Sequence, residues 1–147
     1  MKMRGSTLQS RNMFITDDNE ALLSVLSRRF AKKFRQVRVF NSGESLLNAI
    51  VHEIPDIIIL DLKMSGISGI ETLRRIRDTH SQPLVIILTA YVSAEDLVVA
   101  QGLGVFDVVT KRVGLEDLDL AVTRALLYLG TDPASQGEHR RLDWMKL

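Results

Sequence analysis

The sequence predicts an α/β fold, a doubly wound five-stranded parallel sheet with helices on both faces. Five short apolar runs alternate with longer segments of helical periodicity. Because each helix must return the chain right-handed to the same end of the sheet, this alternation predicts parallel strands. Two of the runs contain a charged residue in their interior, which indicates the strand order. The runs occupy positions 13–16, 37–40, 56–60, 83–88 and 105–109.

The segments between the runs carry apolar side chains at helical spacing. Side chains at that spacing share one face of a helix, so these segments are predicted to be amphipathic helices packed on the sheet. The first contains Leu22, Leu23, Leu26 and Phe30, the second Leu46, Leu47 and Ile50, and the last Leu118, Val122, Ala125 and Leu129.

The strand order follows from charge. Strands covered on both faces read as continuous apolar runs, whereas edge strands tolerate charge. The second run contains Arg38 and the fifth contains Asp107, so both are predicted to be edge strands. This fits the order 2-1-3-4-5, in which the first and third strands are neighbours at the switch point where such sheets bind ligands.

The length of 147 residues suits one domain with tails. We expect an N-terminal extension over residues 1–11, the domain over 12–129, and a polar tail or linker remnant over 130–147, because the helical pattern stops at Gly130. The 19 basic and 18 acidic side chains give a net charge of +1. No global field therefore favours nucleic acid or membrane.

Several classes of site are excluded or disfavoured by residue type. The chain has no cysteine, which excludes disulfides and thiolate metal sites, and His52, His80 and His139 are too far apart in sequence for a local ligand motif. Neither a signal peptide nor an apolar run of membrane-spanning length is visible. We expect a soluble, intracellular protein.

Polar side chains follow four of the five strands. Asp17 and Asp18 follow the first and Asp61 the third, so three carboxylates should converge at one edge of the sheet. Hard oxygen ligands suit Mg²⁺. Thr89 ends the fourth strand and Lys111 follows the fifth, which adds a hydroxyl donor and a cation. Together these groups predict a magnesium-assisted phosphoryl-transfer site.

Taken singly, the same residues have ordinary structural roles. Asp17, Asp18 or Asn19 could cap the first helix, and Lys111 could be the solvated end of an edge strand. The functional interpretation rests on four independent strand ends delivering suitable groups to one edge.

The ordered set of motifs resembles the receiver domain of two-component response regulators, over roughly residues 12–129. The matching features are the acidic pair "DD", the segment "DLKMSGISG" after a buried strand, "TA" after the next strand, and a lysine after the fifth. The resemblance implies a flavodoxin-like (CheY-like) fold and a cytoplasmic signalling role. It also implies a phosphoryl group taken from a sensor histidine kinase or histidine phosphotransfer protein and lost by hydrolysis.

The resemblance also assigns roles to individual residues. It implies that Asp61 is the phosphoacceptor and that Thr89 and Lys111 contact the phosphoryl oxygens. It implies that Asp18, Asp61 and the Lys63 carbonyl bind Mg²⁺ directly, with Asp17 assisting through water. The family usually reads out phosphorylation on the face formed by the fourth helix, fifth strand and fifth helix, where we expect an output partner or a homodimer contact.

The chain departs from the family pattern at several positions. Ser65 replaces a usual proline, which should loosen the loop after Asp61, and Arg112 replaces a usual cis proline. Val108 replaces the switch aromatic of the fifth strand, so the usual threonine–aromatic coupling is in doubt. Lys63 and Tyr91 occupy positions that in the family tune the lifetime of the phosphoryl group.

Two rival functions follow from these departures and from the site itself. A degenerate receiver used as a phosphorylation-independent binding module would explain Val108, Ser65 and Arg112. A small phosphatase with an aspartyl nucleophile would typically have a second aspartate at the position of Lys63, so this rival ranks low.

Two surface features are candidate partner sites. Leu97, Val98 and Val99 cannot all face one core, which predicts either burial under loops or a contact patch on the fourth helix. The basic cluster near the end of the first helix most simply faces solvent, and kinase docking is a weaker alternative. It comprises Arg28, Arg29, Lys32, Lys33 and Arg35.

Overall fold

The computed structural model describes residues 10–111 and 114–130. Five parallel strands form one sheet in the order β2-β1-β3-β4-β5, which confirms the predicted topology. The strands are β1 (Asn12–Thr16), β2 (Gln36–Phe40), β3 (Ile57–Leu60), β4 (Leu84–Thr89) and β5 (Asp107–Thr110).

Each strand is followed by one helix. Side-chain oxygens of Asn19, Ser42, Ser68 and Ser93 accept hydrogen bonds from the first turns of the first four helices, which explains where those helices begin. The helices are α1 (Glu20–Phe30), α2 (Gly43–Ile50), α3 (Gly69–Thr79), α4 (Ala94–Gly102) and α5 (Glu116–Leu129).

The sheet is covered on both faces, as its apolar strands require. Along β1, Met13 and Ile15 belong to a core formed with α1 and α5, whereas Phe14 belongs to a second core formed with α2, α3 and α4. The alternation of side chains along a strand divides the apolar residues between these two cores. β1, β3 and β4 are buried along their whole length.

The two charged strands lie at the edges, as predicted, but the start of β5 was predicted two residues too early. β5 begins at Asp107, and Val105 and Phe106 are buried ahead of it. Apolar periodicity marks burial and not strand pairing, so it could not distinguish these residues from the strand. Asp107 forms an ion pair with Arg124 of α5.

No helix within residues 10–111 and 114–130 is long and apolar enough to span a membrane. Arg112 and the segment 131–147 lie outside the described residues, as does most of the predicted N-terminal extension. The extents of the extension, domain and tail stay predictions.

Candidate functional site

Asp61 lies directly after β3, at the carboxyl edge of the sheet. Its backbone N–H donates to the Thr16 carbonyl at 3.0 Å, which extends the pairing of β1 and β3 by one step. The residue is only 4% exposed. One carboxylate oxygen accepts a hydrogen bond from the Lys63 backbone N–H at 3.3 Å. The buried strand therefore ends by presenting a carboxylate in a sheltered but reachable position.

Asp17 follows β1 and lies beside Asp61 because β1 and β3 are neighbours. It is 2% exposed, and its Oδ1 accepts a hydrogen bond from the Asn19 N–H at 2.9 Å. The cap of α1 is Asn19 itself, whose side chain accepts from Leu22 N–H. The capping role that Asp17 or Asp18 could have had is thus filled, and both carboxylates face the site.

Asp18 is the exposed member of the group, and the structure brings it together with Asp17 and Asp61 as predicted. One carboxylate oxygen from each residue lies within 4.8 Å of the others. Three anionic oxygens so close repel one another unless positive charge lies between them. The donor set is all oxygen, which suits a hard divalent cation such as Mg²⁺.

Lys111 lies between two of these carboxylates. Its Nζ is 2.8 Å from Asp17 Oδ2 and 3.3 Å from Asp61 Oδ2. Burial lowers the pKa of the Lys111 ammonium, but the hydrogen bond to Asp17 and the charges of Asp17 and Asp61 outweigh burial, so the net pKa is raised. The pairing with Asp17, which the sequence analysis did not foresee, makes Lys111 a bridge and not a solvated strand end.

The Asp61 carboxyl has a raised pKa. Burial raises it most, the nearby charge of Asp17 raises it further, and the positive charge of Lys111 acts in the opposite direction. The same surroundings that shelter the group therefore disfavour its ionised form. Additional positive charge at the site would lower this pKa.

Thr89 and Tyr91 form the wall of the site that follows β4. Thr89 is fully buried, and its hydroxyl donates to the Tyr91 carbonyl at 3.3 Å. The Tyr91 side chain is 57% exposed, and the Lys63 ammonium lies 5.8 Å from the centroid of its ring. Lys63 and Tyr91 thus form a cation–π contact at the mouth of the site.

The backbone of Ser65 contributes a contact that sequence reasoning missed. Its N–H donates to Asp18 Oδ2 at 3.2 Å. A proline at this position could not make this bond because it has no N–H. The looser loop expected from Ser65 stays a prediction, and this bond opposes it because it holds the loop to Asp18.

Gly69, the last glycine of the segment "DLKMSGISG", is a close-packed position. A Cβ atom there would lie 2.1 Å from the Asp61 carbonyl oxygen and 2.5 Å from Leu62 Cα. The Gly69 N–H also donates to the Leu62 carbonyl at 2.9 Å. Glycine is needed because the first turn of α3 packs against the backbone at Asp61. The glycines of the motif "SGISG" are visible in the sequence, but the sequence does not show which atoms lie against them.

Val108 is half-buried on β5, and Arg112 lies outside the described residues. The predicted loss of threonine–aromatic coupling stays a prediction.

The two candidate partner surfaces are partly explained by internal contacts. On α4, Val98 is 66% exposed, while Leu97 and Val99 are half-buried. In the basic cluster, Arg29 forms a bidentate ion pair with Asp119 of α5. The remaining members of the basic cluster are exposed.

Comparison with known proteins identifies the family. The family model of the response regulator receiver domain matches residues 13–123, and the chain belongs to this family. The regulatory protein AtoC of Escherichia coli (strain K12) is 33% identical over 114 residues, which cover 78% of this chain and 25% of AtoC. The transcriptional regulatory protein AfsQ1 of Streptomyces coelicolor is 35% identical over 130 residues, which cover 86% of this chain and 57% of AfsQ1.

The response regulator DrrB of Thermotoga maritima has a similar crystal structure, with a TM-score of 0.71 and 29% identity. The match covers 79% of this chain and 52% of DrrB. The chain thus spans less than two thirds of the length of each of these relatives.

Proposed function

We propose that this receiver accepts a phosphoryl group on Asp61 in a Mg²⁺-dependent reaction and signals through contacts with other proteins. The donor would be a phosphohistidine on a sensor histidine kinase or a histidine phosphotransfer protein. The observation that carries the proposal is the grouping of the Asp61 carboxylate with Lys111 and two further carboxylates at the carboxyl edge of the sheet.

In the proposed reaction an Asp61 carboxylate oxygen attacks the phosphorus atom. The new O–P bond forms as the N–P bond of phosphohistidine breaks, and the bonding electron pair goes to the imidazole nitrogen, which takes a proton from solvent. Hydrolysis of the acyl phosphate later returns the carboxylate and inorganic phosphate. The nucleophile must be ionised, and the positive charge of Lys111 favours that form against the burial and the Asp17 charge that raise its pKa.

The residues present fit a Mg²⁺ ion. Asp18, Asp61 and the Lys63 carbonyl would hold it directly, with Asp17 assisting through water. When bound, the ion supplies positive charge that offsets the carboxylates and the phosphoryl oxygens. Lys111 supplies a fixed positive charge beside Asp61, and we assign it and the Thr89 hydroxyl to the phosphoryl oxygens.

The proposed output surface is the α4–β5–α5 face, for a partner protein or a second copy of the chain. The exposed Val98 supports it. AtoC is named as a regulatory protein and AfsQ1 as a transcriptional regulatory protein, and each is longer than this chain. Control of transcription through a further domain is therefore proposed as one form that the output could take. We propose a cytoplasmic location and no direct contact of this segment with nucleic acid or membrane.

The deciding experiment is incubation with Mg²⁺ and acetyl phosphate, followed by intact mass spectrometry. We expect one phosphoryl adduct on the wild type and none on Asp61→Asn. Because a receiver domain of DrrB is described as activated by BeF₃, binding of BeF₃ provides a second probe that needs no phosphodonor. An equal adduct on Asp61→Asn would contradict the assignment of the phosphoacceptor.

A second candidate is a binding module that does not depend on phosphorylation. It is favoured by Val108, which gives β5 no ring to change position with the state of the site. A Mg²⁺ titration discriminates the two, because a degenerate module need not bind the ion. Absence of both Mg²⁺ binding and an adduct would make the second candidate the better one.

A further inference from the structure

The loop of residues 62–68, which joins β3 to α3, is held at a residue outside the strand-end site. The Ile67 backbone N–H donates to Glu44 Oε2 at 3.2 Å. Gly66, just before it, has a φ of +79°, which bends the loop in a way that favours glycine. Glu44 belongs to the first turn of α2, so the contact joins the loop to a different helix.

Glu44 contacts the loop at two successive residues. A Cβ atom at Gly66 would lie 2.8 Å from one Glu44 carboxylate oxygen and 3.0 Å from the other, so both oxygens pack directly on this glycine. The start of α2 is itself fixed, because Gly43 is buried and packs closely on Thr72 and Ile67. The Glu44 carboxylate therefore contacts the loop from a helix whose first turn is held in place by packing.

The same loop contains two groups that belong to the proposed metal site or contact it. One is the Lys63 carbonyl, a proposed metal ligand, and the other is the Ser65 N–H, which is bonded to Asp18. On its far side the loop ends at Gly69, whose N–H is bonded to the Leu62 carbonyl. Between these points the Ile67 side chain packs on Gly43, while the Glu44 carboxylate holds the backbone at Gly66 and Ile67. Loss of the Glu44 bond would loosen the backbone next to Ser65.

We propose that Glu44 is a positioning residue for the metal site, acting through the 62–68 loop on the Ser65 N–H and the Lys63 carbonyl. Groups that orient metal ligands from outside the ligand set affect metal affinity without touching the ion. The proposal rests on the proposed Mg²⁺-dependent function for its effect on affinity. Its effect on the loop does not require the ion.

The test compares Glu44→Ala with Glu44→Gln. Both variants remove the negative charge, but glutamine keeps an oxygen that can accept the Ile67 N–H. We expect Glu44→Ala to bind Mg²⁺ roughly fivefold more weakly than the wild type in a calorimetric titration, and Glu44→Gln to remain within about twofold. Thermal unfolding without Mg²⁺ checks that both variants are folded.

Amide hydrogen exchange, measured without Mg²⁺, gives the second readout. The Ile67 and Ser65 N–H groups should exchange several-fold faster in Glu44→Ala than in the wild type, and Glu44→Gln should restore most of the protection. Equal weakening of Mg²⁺ binding in both variants would assign the effect to charge and overturn the proposal. Unchanged Ser65 exchange in Glu44→Ala would also overturn it.

The two readouts separate this inference from the function on which it rests. A wild type that binds no Mg²⁺ would contradict the proposed function, and the exchange rates would still decide whether Glu44 holds the loop. A wild type that binds Mg²⁺ with an affinity equal to that of Glu44→Ala would contradict the inference alone.

Discussion

At the scale of the residue, the Asp61 carboxyl group is kept in surroundings that oppose its ionisation. It is 4% exposed and near the charge of Asp17, and both conditions raise its pKa. Lys111 offsets this only in part, because it is shared with Asp17 at the shorter distance of 2.8 Å. The site of the metal-free protein therefore holds unfavourable electrostatic energy that a bound cation would relieve.

Asp61→Asn should therefore stabilise the fold. A carboxyl group whose pKa is raised in the native state destabilises that state wherever it is ionised, so removal of its charge should raise the melting temperature by a few degrees at neutral pH. The gain should be full above the native pKa of Asp61 and should vanish below its ordinary value near 3.8, where the wild type is protonated in both states. Melting curves between acidic and neutral pH, without Mg²⁺, check this.

Asp78→Asn is the matched control because this aspartate lies on α3, outside the site. Its melting temperature should follow that of the wild type across the pH range. A destabilised Asp61→Asn at neutral pH would mean that the pairing with Lys111 outweighs burial and repulsion.

Lys111→Met should have opposite effects on stability and on metal affinity. Removing the cation leaves the buried carboxylates of Asp17 and Asp61 without their shared partner. Because the Lys111 side chain is itself 26% exposed, we expect a cost of about 1–2 kcal/mol of unfolding free energy, below the 3–5 kcal/mol typical of fully buried pairs. The same removal takes away a charge that repels Mg²⁺, so we expect the variant to bind the ion several-fold more tightly. Denaturant unfolding and a Mg²⁺ titration measure the two effects.

Lys111→Arg retains a cation and should show neither change to the same extent. Weaker Mg²⁺ binding by Lys111→Met would indicate that the lysine organises the carboxylates more than it competes with the ion.

At the scale of the element, two glycines offer a matched comparison of packing. Gly69→Ala would bring a Cβ atom to 2.1 Å from the Asp61 carbonyl oxygen, so the start of α3 must shift, at an expected cost of about 1–3 kcal/mol. At Gly102, the last residue of α4, a Cβ atom would have no neighbour within 4 Å. Gly102→Ala should therefore be neutral or stabilise by about 0.5–1 kcal/mol.

Chemical unfolding measures both variants, and the phosphoryl adduct adds a functional readout. Gly69→Ala should also form the adduct more slowly, because the displaced backbone is that of Asp61 and Leu62. Equal stability of the two variants would show that α3 can move away from the strand end at little cost.

The fold could be predicted from sequence because its signals are local. Apolar runs marked the strands, and the charges of Arg38 and Asp107 identified the edges, which fits the doubly wound order that the sheet has. The grouping of Asp17, Asp18 and Asp61 followed in turn from that order.

What the sequence did not reveal depends on contacts between distant backbone and side-chain atoms. The bond from Ser65 N–H to Asp18 is an example, since every residue except proline has the same N–H and only the folded loop decides its partner. The pairing of Lys111 with Asp17 and the packing of Glu44 on Gly66 are of the same kind.

At the scale of the whole molecule, the two cores make the site a rigid part of the sheet. β1 and β3 are buried on both faces, so the strand ends that bear Asp17 and Asp61 are fixed relative to each other. The close carboxylates therefore cannot separate to relieve their repulsion without disturbing the central strands. Stability of the whole fold and occupancy of the site should be linked.

Saturating Mg²⁺ should consequently raise the melting temperature of the wild type. A ligand that binds only the native state at about 100 times its Kd adds about 2.7 kcal/mol, which in a domain of this size corresponds to roughly 5–10 °C. Asp18→Ala removes a proposed ligand but leaves the buried pair with Lys111, so its melting temperature should respond much less. Scanning calorimetry with MgCl₂, against NaCl of equal ionic strength, separates specific binding from screening. An equal response of the wild type and Asp18→Ala to MgCl₂ would place the ion elsewhere, because the proposed site uses Asp18 as its exposed third carboxylate.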